Sequence, residues 1–118
     1  MQQNIAKKKS KEFALRIIKL YKYLTETQKE FIIAKQVVRS GTSIGANIAE
    51  AECAISKNDF LSKIYIALKE ASETQYWLEL LQESDYITKS EFNSIYTDCN
   101  EITKILVQTT KTIKNNTK

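Results

Sequence analysis

The sequence predicts an all-α protein, an antiparallel up-down-up-down four-helix bundle. Three observations carry that prediction. The 118 residues contain no proline and only two glycines, so strong helix breakers are almost absent. Apolar residues recur in steps of three and four along four segments, which puts them on one face of each helix. The stretches between segments are a few polar residues long, and loops that short force neighbouring helices to run antiparallel.

The first helix is expected near 9–25, on Phe13, Ile17, Leu20 and Leu24. "TETQKE" follows, where Thr27 and Glu30 match a capping box, each side chain serving a free amide of the first turn. That box opens a second helix near 28–55, on Phe31, Ala34, Val38, Gly41, Gly45 and Ile48. In "ISKND", Ser56 is the expected N-cap and Asp59 suits the positive helix start. The third helix, near 57–83, carries Phe60, Ile64, Ala67, Ala71, Thr74, Leu78 and Leu81. "SDYITKSE" repeats the box with Thr88 and Glu91. The fourth helix, near 89–113, carries Phe92, Ile95, Cys99, Ile102, Leu106 and Ile113. One domain over 1–118 is expected, with frayed ends at about 1–8 and 114–118. A chain this long buries roughly two thirds of its unfolded surface and needs no metal or disulfide to hold a core.

Composition narrows the chemistry. There is no histidine, which removes the commonest general base and transition-metal ligand. Diiron bundles, which need Glu-x-x-His pairs, are thereby excluded. Cys53 and Cys99 match no metal spacing and read as reduced, packed thiols. No apolar run approaches the roughly 18 residues of a membrane span, and no secretory segment is recognisable. A cytoplasmic protein without membrane contact, cofactor or metal is expected.

"RSGTSIGANIAE" (39–50) holds both glycines. It lacks the Gly-x-x-x-x-Gly-Lys-Ser/Thr of a phosphate loop and follows no strand. Gly41, Gly45 and Ala49 instead share a helix face. Such a strip admits another helix closer than the usual 8–10 Å. Each interior glycine costs about 1 kcal/mol against alanine, and close backbone contact is the simplest offset. The facing surface is either the third helix, through Ala67 and Ala71, or a second subunit. Beside this strip run Arg39, Ser43, Asn47 and Glu50, and on the third helix Glu70, Glu73 and Trp77 have similar spacing. They form either a solvated polar face or a polar seam, within the bundle or between subunits. In a seam, Arg39 pairs with a carboxylate and sets register more than stability.

"VVRSGTSIGANIAEA", followed by "DFLSKIYIALKEASETQYWLELL", closely resembles the bacterial four-helix-bundle protein family. Its members are also known as proteins encoded in the intervening sequence of 23S ribosomal RNA genes. The resemblance runs from about Phe13 to Ile105. It implies a four-helix protomer assembled into a ring-like homo-oligomer, typically a pentamer, with no known enzymatic activity. The accessory variability determinant of diversity-generating retroelements is a similar protein that binds nucleic acid and a reverse transcriptase. Motif positions fall on Arg39, Ser43, Asn47, Glu50, Asp59, Phe60, Ala67, Glu70 and Leu78. Many relatives have proline or alanine near Gly45 and glycine at the position of Ala51, so packing there is expected to differ.

The net charge of +4 is unevenly spread. Residues 1–48 carry ten basic and three acidic groups, residues 49–103 four and eleven, and residues 104–118 four and none. Lys8, Lys9, Arg16 and Lys19 are expected to line one face of the first helix, with Lys11 and Lys22 at its edges. Repeated around a ring, that patch makes RNA or DNA backbone the leading expected partner, bound without sequence preference and weakened by salt. The alternative is a protein-binding scaffold or assembly factor using Tyr65, Tyr76, Trp77, Tyr86 and Tyr96. A catalyst would need an oxygen-ligand metal site built from Glu50, Glu70 and Glu73.

Overall fold

The computed structural model of the protein describes residues 2–115, with side chains from Ile5 onward. Four α-helices follow one another: α1 (Gln2–Lys22), α2 (Ile32–Ala51), α3 (Lys57–Glu83) and α4 (Lys89–Asn115). There is no strand among the described residues. The bundle measures 51 × 22 × 19 Å. The 27-residue α3 and α4 each supply about 40 Å of that length at 1.5 Å per residue.

Cross-helix pairs give the direction of each helix. Lys7 meets Glu52 on α2's C-terminal side, and Ile17 lies against Gly41, so α1 and α2 run oppositely. Glu50 pairs with Lys63 and Arg39 with Glu70, which makes α2 and α3 antiparallel. Lys114 lies over Tyr65 while Tyr96 reaches Glu79, and the same order reversal holds for α3 and α4. Lys9–Glu101 and Arg16–Asp98 close the ring between α4 and α1.

α1 starts at Gln2 rather than near residue 9. Ala6 and Ser10 are buried, so the helical turns around them pack within the bundle. Of the ends expected to fray, Met1 and 116–118 lie outside the described residues. After Lys22 the chain makes a π-helical turn, Tyr23–Thr27, which Glu30 N–H closes by donating to the Leu24 carbonyl at 2.8 Å. Lys29 (φ 56°) reverses the chain there, and Asp85 (φ 67°) ends α3 in the same left-handed conformation. Both glycines are inside α2, so non-glycine residues bear the cost of roughly 1–2 kcal/mol at these turns.

The helix starts fulfil two of three expectations. Ser56 Oγ accepts from Asp59 N–H at 3.0 Å. Thr88 and Glu91 form the full reciprocal box, at 3.1 and 2.8 Å. Thr27 does not cap α2, because the π turn absorbs it. Glu30 does the work alone, its carboxylate accepting from the amides of Ile33 (3.1 Å) and Ala34 (2.8 Å). Phe31 then falls outside the helix and is 54% exposed, a correction to its expected place in the core. The core comprises Phe13 and Ile17 of α1, Leu24 of the π turn, all expected stripe positions of α3, and Ile95, Cys99, Ile102 and Leu106 of α4. It also takes Val37 and Ile44, on a second apolar row of α2.

Candidate nucleic-acid interface

The six basic residues expected along one face of α1 and at its edges divide into two groups. Lys9 and Arg16 point towards α4. Lys9 Nζ lies 3.3 Å from Glu101 Oε1, and Arg16 Nη1 lies 2.6 Å from Asp98 Oδ2. Arg16 Nη2 also donates to Ser94 Oγ at 3.1 Å. These two groups span the seam between α1 and α4. Lys8, Lys11, Lys19 and Lys22 are exposed and make no ion pair among the described residues. The division follows from 100° per residue: positions 9 and 16 stack on the α4 side, while 8, 19 and 22 face outward.

The antiparallel order adds what the sequence alone does not show. The start of α1, the end of α2, the start of α3 and the end of α4 meet at one end of the bundle. Residues 2–12, 46–68 and 100–115 supply nine basic and five acidic side chains, whereas 13–45 and 69–99 supply eight basic and nine acidic. The excess positive charge of the described chain is therefore at one end. Lys104, Lys111 and Lys114 of α4 are exposed at that end, as are Lys8 and Lys11 of α1. Lys114 Nζ is 5.2 Å from the centroid of the Tyr65 ring, and Tyr65 is 42% exposed. Reading α1 in isolation missed this α4 contribution, although the all-basic run after residue 103 signalled it.

The glycine strip faces α1. A Cβ on Gly41 would lie 2.9 Å from Ile17 Cγ1 and Cγ2, and one on Gly45 would lie 3.1 Å from Ser10 Oγ. At these two positions the facing helix is α1, not α3. A shallow groove of about 230 Å³ runs alongside, between Lys11 and Ala14 of α1 and Ala46 and Ala49 of α2.

The polar stripe on α2 is divided too. Arg39 lies against α3, donating to Glu70 at 3.4 Å and to Glu73, which also accepts from the Trp77 indole N–H at 3.2 Å. Ser43 and Asn47 instead donate to carbonyls of their own helix, those of Arg39 (2.6 Å) and Ser43 (2.8 Å). The buried cross-helix hydrogen bond is made one position along, from Thr74 Oγ1 to Ser40 Oγ at 2.8 Å. Glu50 pairs with Lys63 at 3.1 Å, so Glu50, Glu70 and Glu73 do not form one carboxylate site. Among the described residues no group of three or more Cys, Asp or Glu is arranged to hold a metal ion. Cys99 is buried and its thiol is pushed up to about 12, first by burial and then by the charge of Asp98.

No helix of the described residues is long and apolar enough to cross a membrane. Comparison with known proteins gives a family and a fold. The family model of the 23S rRNA-intervening sequence protein matches residues 2–108. A crystal structure of a protein of unknown function from the S23 ribosomal protein family of Bacteroides thetaiotaomicron superposes with a TM-score of 0.93. It is 57% identical in sequence, over 94% of this chain and 99% of that one. No curated protein matches the chain.

Proposed function

Because this chain belongs to the 23S rRNA-intervening sequence protein family, whose name ties it to ribosomal RNA genes, we propose that it is a non-catalytic, cytoplasmic, homo-oligomeric adaptor that binds the RNA or DNA backbone. The observation that carries the reading is the convergence of two basic segments, the start of α1 and the end of α4, at one end of a rigid bundle. Nucleic-acid affinity of this kind comes from counterion release on neutralising phosphates, and needs clustered cations rather than a shaped pocket. A ring of protomers, typically five in the resemblance noted above, multiplies the effect because each further contact is intramolecular. The absence of histidine and the buried, high-pKa Cys99 support a role without catalysis.

Fluorescence anisotropy with labelled RNA and DNA oligonucleotides tests the reading. Binding is expected at 50 mM salt. If about five phosphates of a single strand are neutralised, affinity falls roughly 100-fold by 200 mM. Replacing Lys104, Lys111 and Lys114 together by glutamine should flatten that salt dependence by about two in log–log slope. Absence of binding at 50 mM would overturn the proposal. Light scattering that gives a monomer at micromolar concentration would remove its oligomeric part.

A second reading is favoured by the opposite end of the bundle, where Tyr23, Phe31 and Ile32 are 39%, 54% and 78% exposed. Exposed aromatic and aliphatic side chains at one site suit a protein partner. In that scaffold reading, purification from the native host recovers a protein that survives nuclease treatment.

A further inference from the structure

We infer that the nucleic acid at the basic end is contacted as a single strand, with an unpaired base stacked on Tyr65. The inference rests on the backbone-binding reading and adds the class of strand. Within residues 2–12, 46–68 and 100–115 the aromatic side chains are Phe60 and Tyr65. Phe60 is in the core, at 9% exposure, whereas Tyr65 presents 42% of its surface. A phosphate-only surface has no use for an exposed ring among its lysines. A duplex hides the faces of its bases, whereas a single strand offers them, and base–aromatic stacking beside a cationic track is the recurrent solution for single strands.

The geometry supplies both halves of that solution. Tyr65 stands on α3, and the neighbouring end of α4 carries Lys104, Lys111 and Lys114. These lysines span about 15 Å along the helix axis at 1.5 Å per residue, the reach of a few nucleotides. The Lys114 ammonium rests over the Tyr65 ring at 5.2 Å from its centroid. An exposed lysine–ring contact is weak. A base that takes its place on the ring releases the ammonium, with all its donors, to an adjacent phosphate. Ring and cation are thus already adjacent without the strand.

The test uses the full chain in four binding measurements: wild type and Tyr65→Ala, each against a single-stranded 12-mer and its duplex. For wild type, single-strand binding is expected to be the tighter. Tyr65→Ala should weaken single-strand binding by about 5- to 100-fold and change duplex binding less than about twofold, because its phosphate contacts are intact. Tyr65→Phe should keep the wild-type affinity, since it keeps the ring. A 2-aminopurine in the single strand should be quenched by wild type and not by Tyr65→Ala. Equal losses on both substrates, or unchanged single-strand binding in Tyr65→Ala, would overturn the inference and leave backbone binding standing. Failure of wild type to bind either substrate would overturn both.

Discussion

Gly41 of α2 and Ile17 of α1 are in contact so close that a methyl group on the glycine would lie 2.9 Å from two carbons of the isoleucine side chain. Ile17 is fully buried, and its Cβ would be only 3.3 Å away, so the neighbour has little room to retreat. Helix propensity favours Gly41→Ala by about 1 kcal/mol, whereas overpacking costs about 1–3 kcal/mol. The net expectation is a loss of about 1 kcal/mol, read as a Tm lower by about 4 °C. Gly45 differs, because its would-be Cβ meets the Ser10 hydroxyl at 3.1 Å, and a hydroxyl can rotate. Gly45→Ala should therefore be neutral or stabilising by up to about 1 kcal/mol. Gly45→Leu, too large for the same space, should weaken the α1–α2 packing. Thermal melts of the three variants decide; equal effects of alanine at 41 and 45 would contradict the contact geometry.

The two matching Thr-x-x-Glu sequences should behave differently. Thr88→Ala and Glu91→Ala each remove one half of a reciprocal box and should each cost about 1 kcal/mol. Thr27→Ala should change stability by less than about 0.5 kcal/mol, as expected of an exposed residue that caps nothing. Glu30→Ala should cost about 1–2 kcal/mol, since its buried carboxylate accepts from two amides. Urea denaturation of the four variants is the check. A Thr27→Ala loss as large as that of Thr88→Ala would show that both boxes cap.

The two thiols should separate cleanly by reactivity and by pH. Cys53 is exposed and Cys99 buried, so a thiol reagent should label one equivalent in the native protein and the second only on unfolding. The Cys99 thiol is raised from 9.0 to about 12. The unfolded chain loses that proton first, so the stabilisation is complete below about pH 9 and is lost as pH rises towards 12. The slope approaches about 1.4 kcal/mol per pH unit. Tyr96 adds in the same direction, raised by burial and by Glu79, to which its hydroxyl donates at 3.4 Å. Denaturant melts across pH 8–11 should show Cys99→Ala less stable than wild type at pH 8 but with a smaller alkaline decline. Parallel declines would refute the assignment.

Where apolar spacing and local capping carried the information, the sequence was readable. α3 and α4 begin at Lys57 and Lys89 as their caps require, because Ser56 and the Thr88–Glu91 pair act within a single turn. The start of α2 was not readable in this way. Thr27 and Glu30 have the right identities, but competition from the π turn on the preceding segment uses up Thr27. Phe31 left the core for the same reason.

By itself, then, the amino-acid order determined a helical chain, its four segments and the distribution of charge along them, since each depends on residues a few positions apart. The tertiary structure alone decided which helix lies against Gly41 and Gly45, which basic residues of α1 are tied to α4 carboxylates, and that the two basic stretches at opposite ends of the chain share one end of the molecule. These are contacts across tens of residues. They are set by how rigid helices turn back on one another, and a pattern of period 3.6 names the face to be buried without naming the neighbour that buries it.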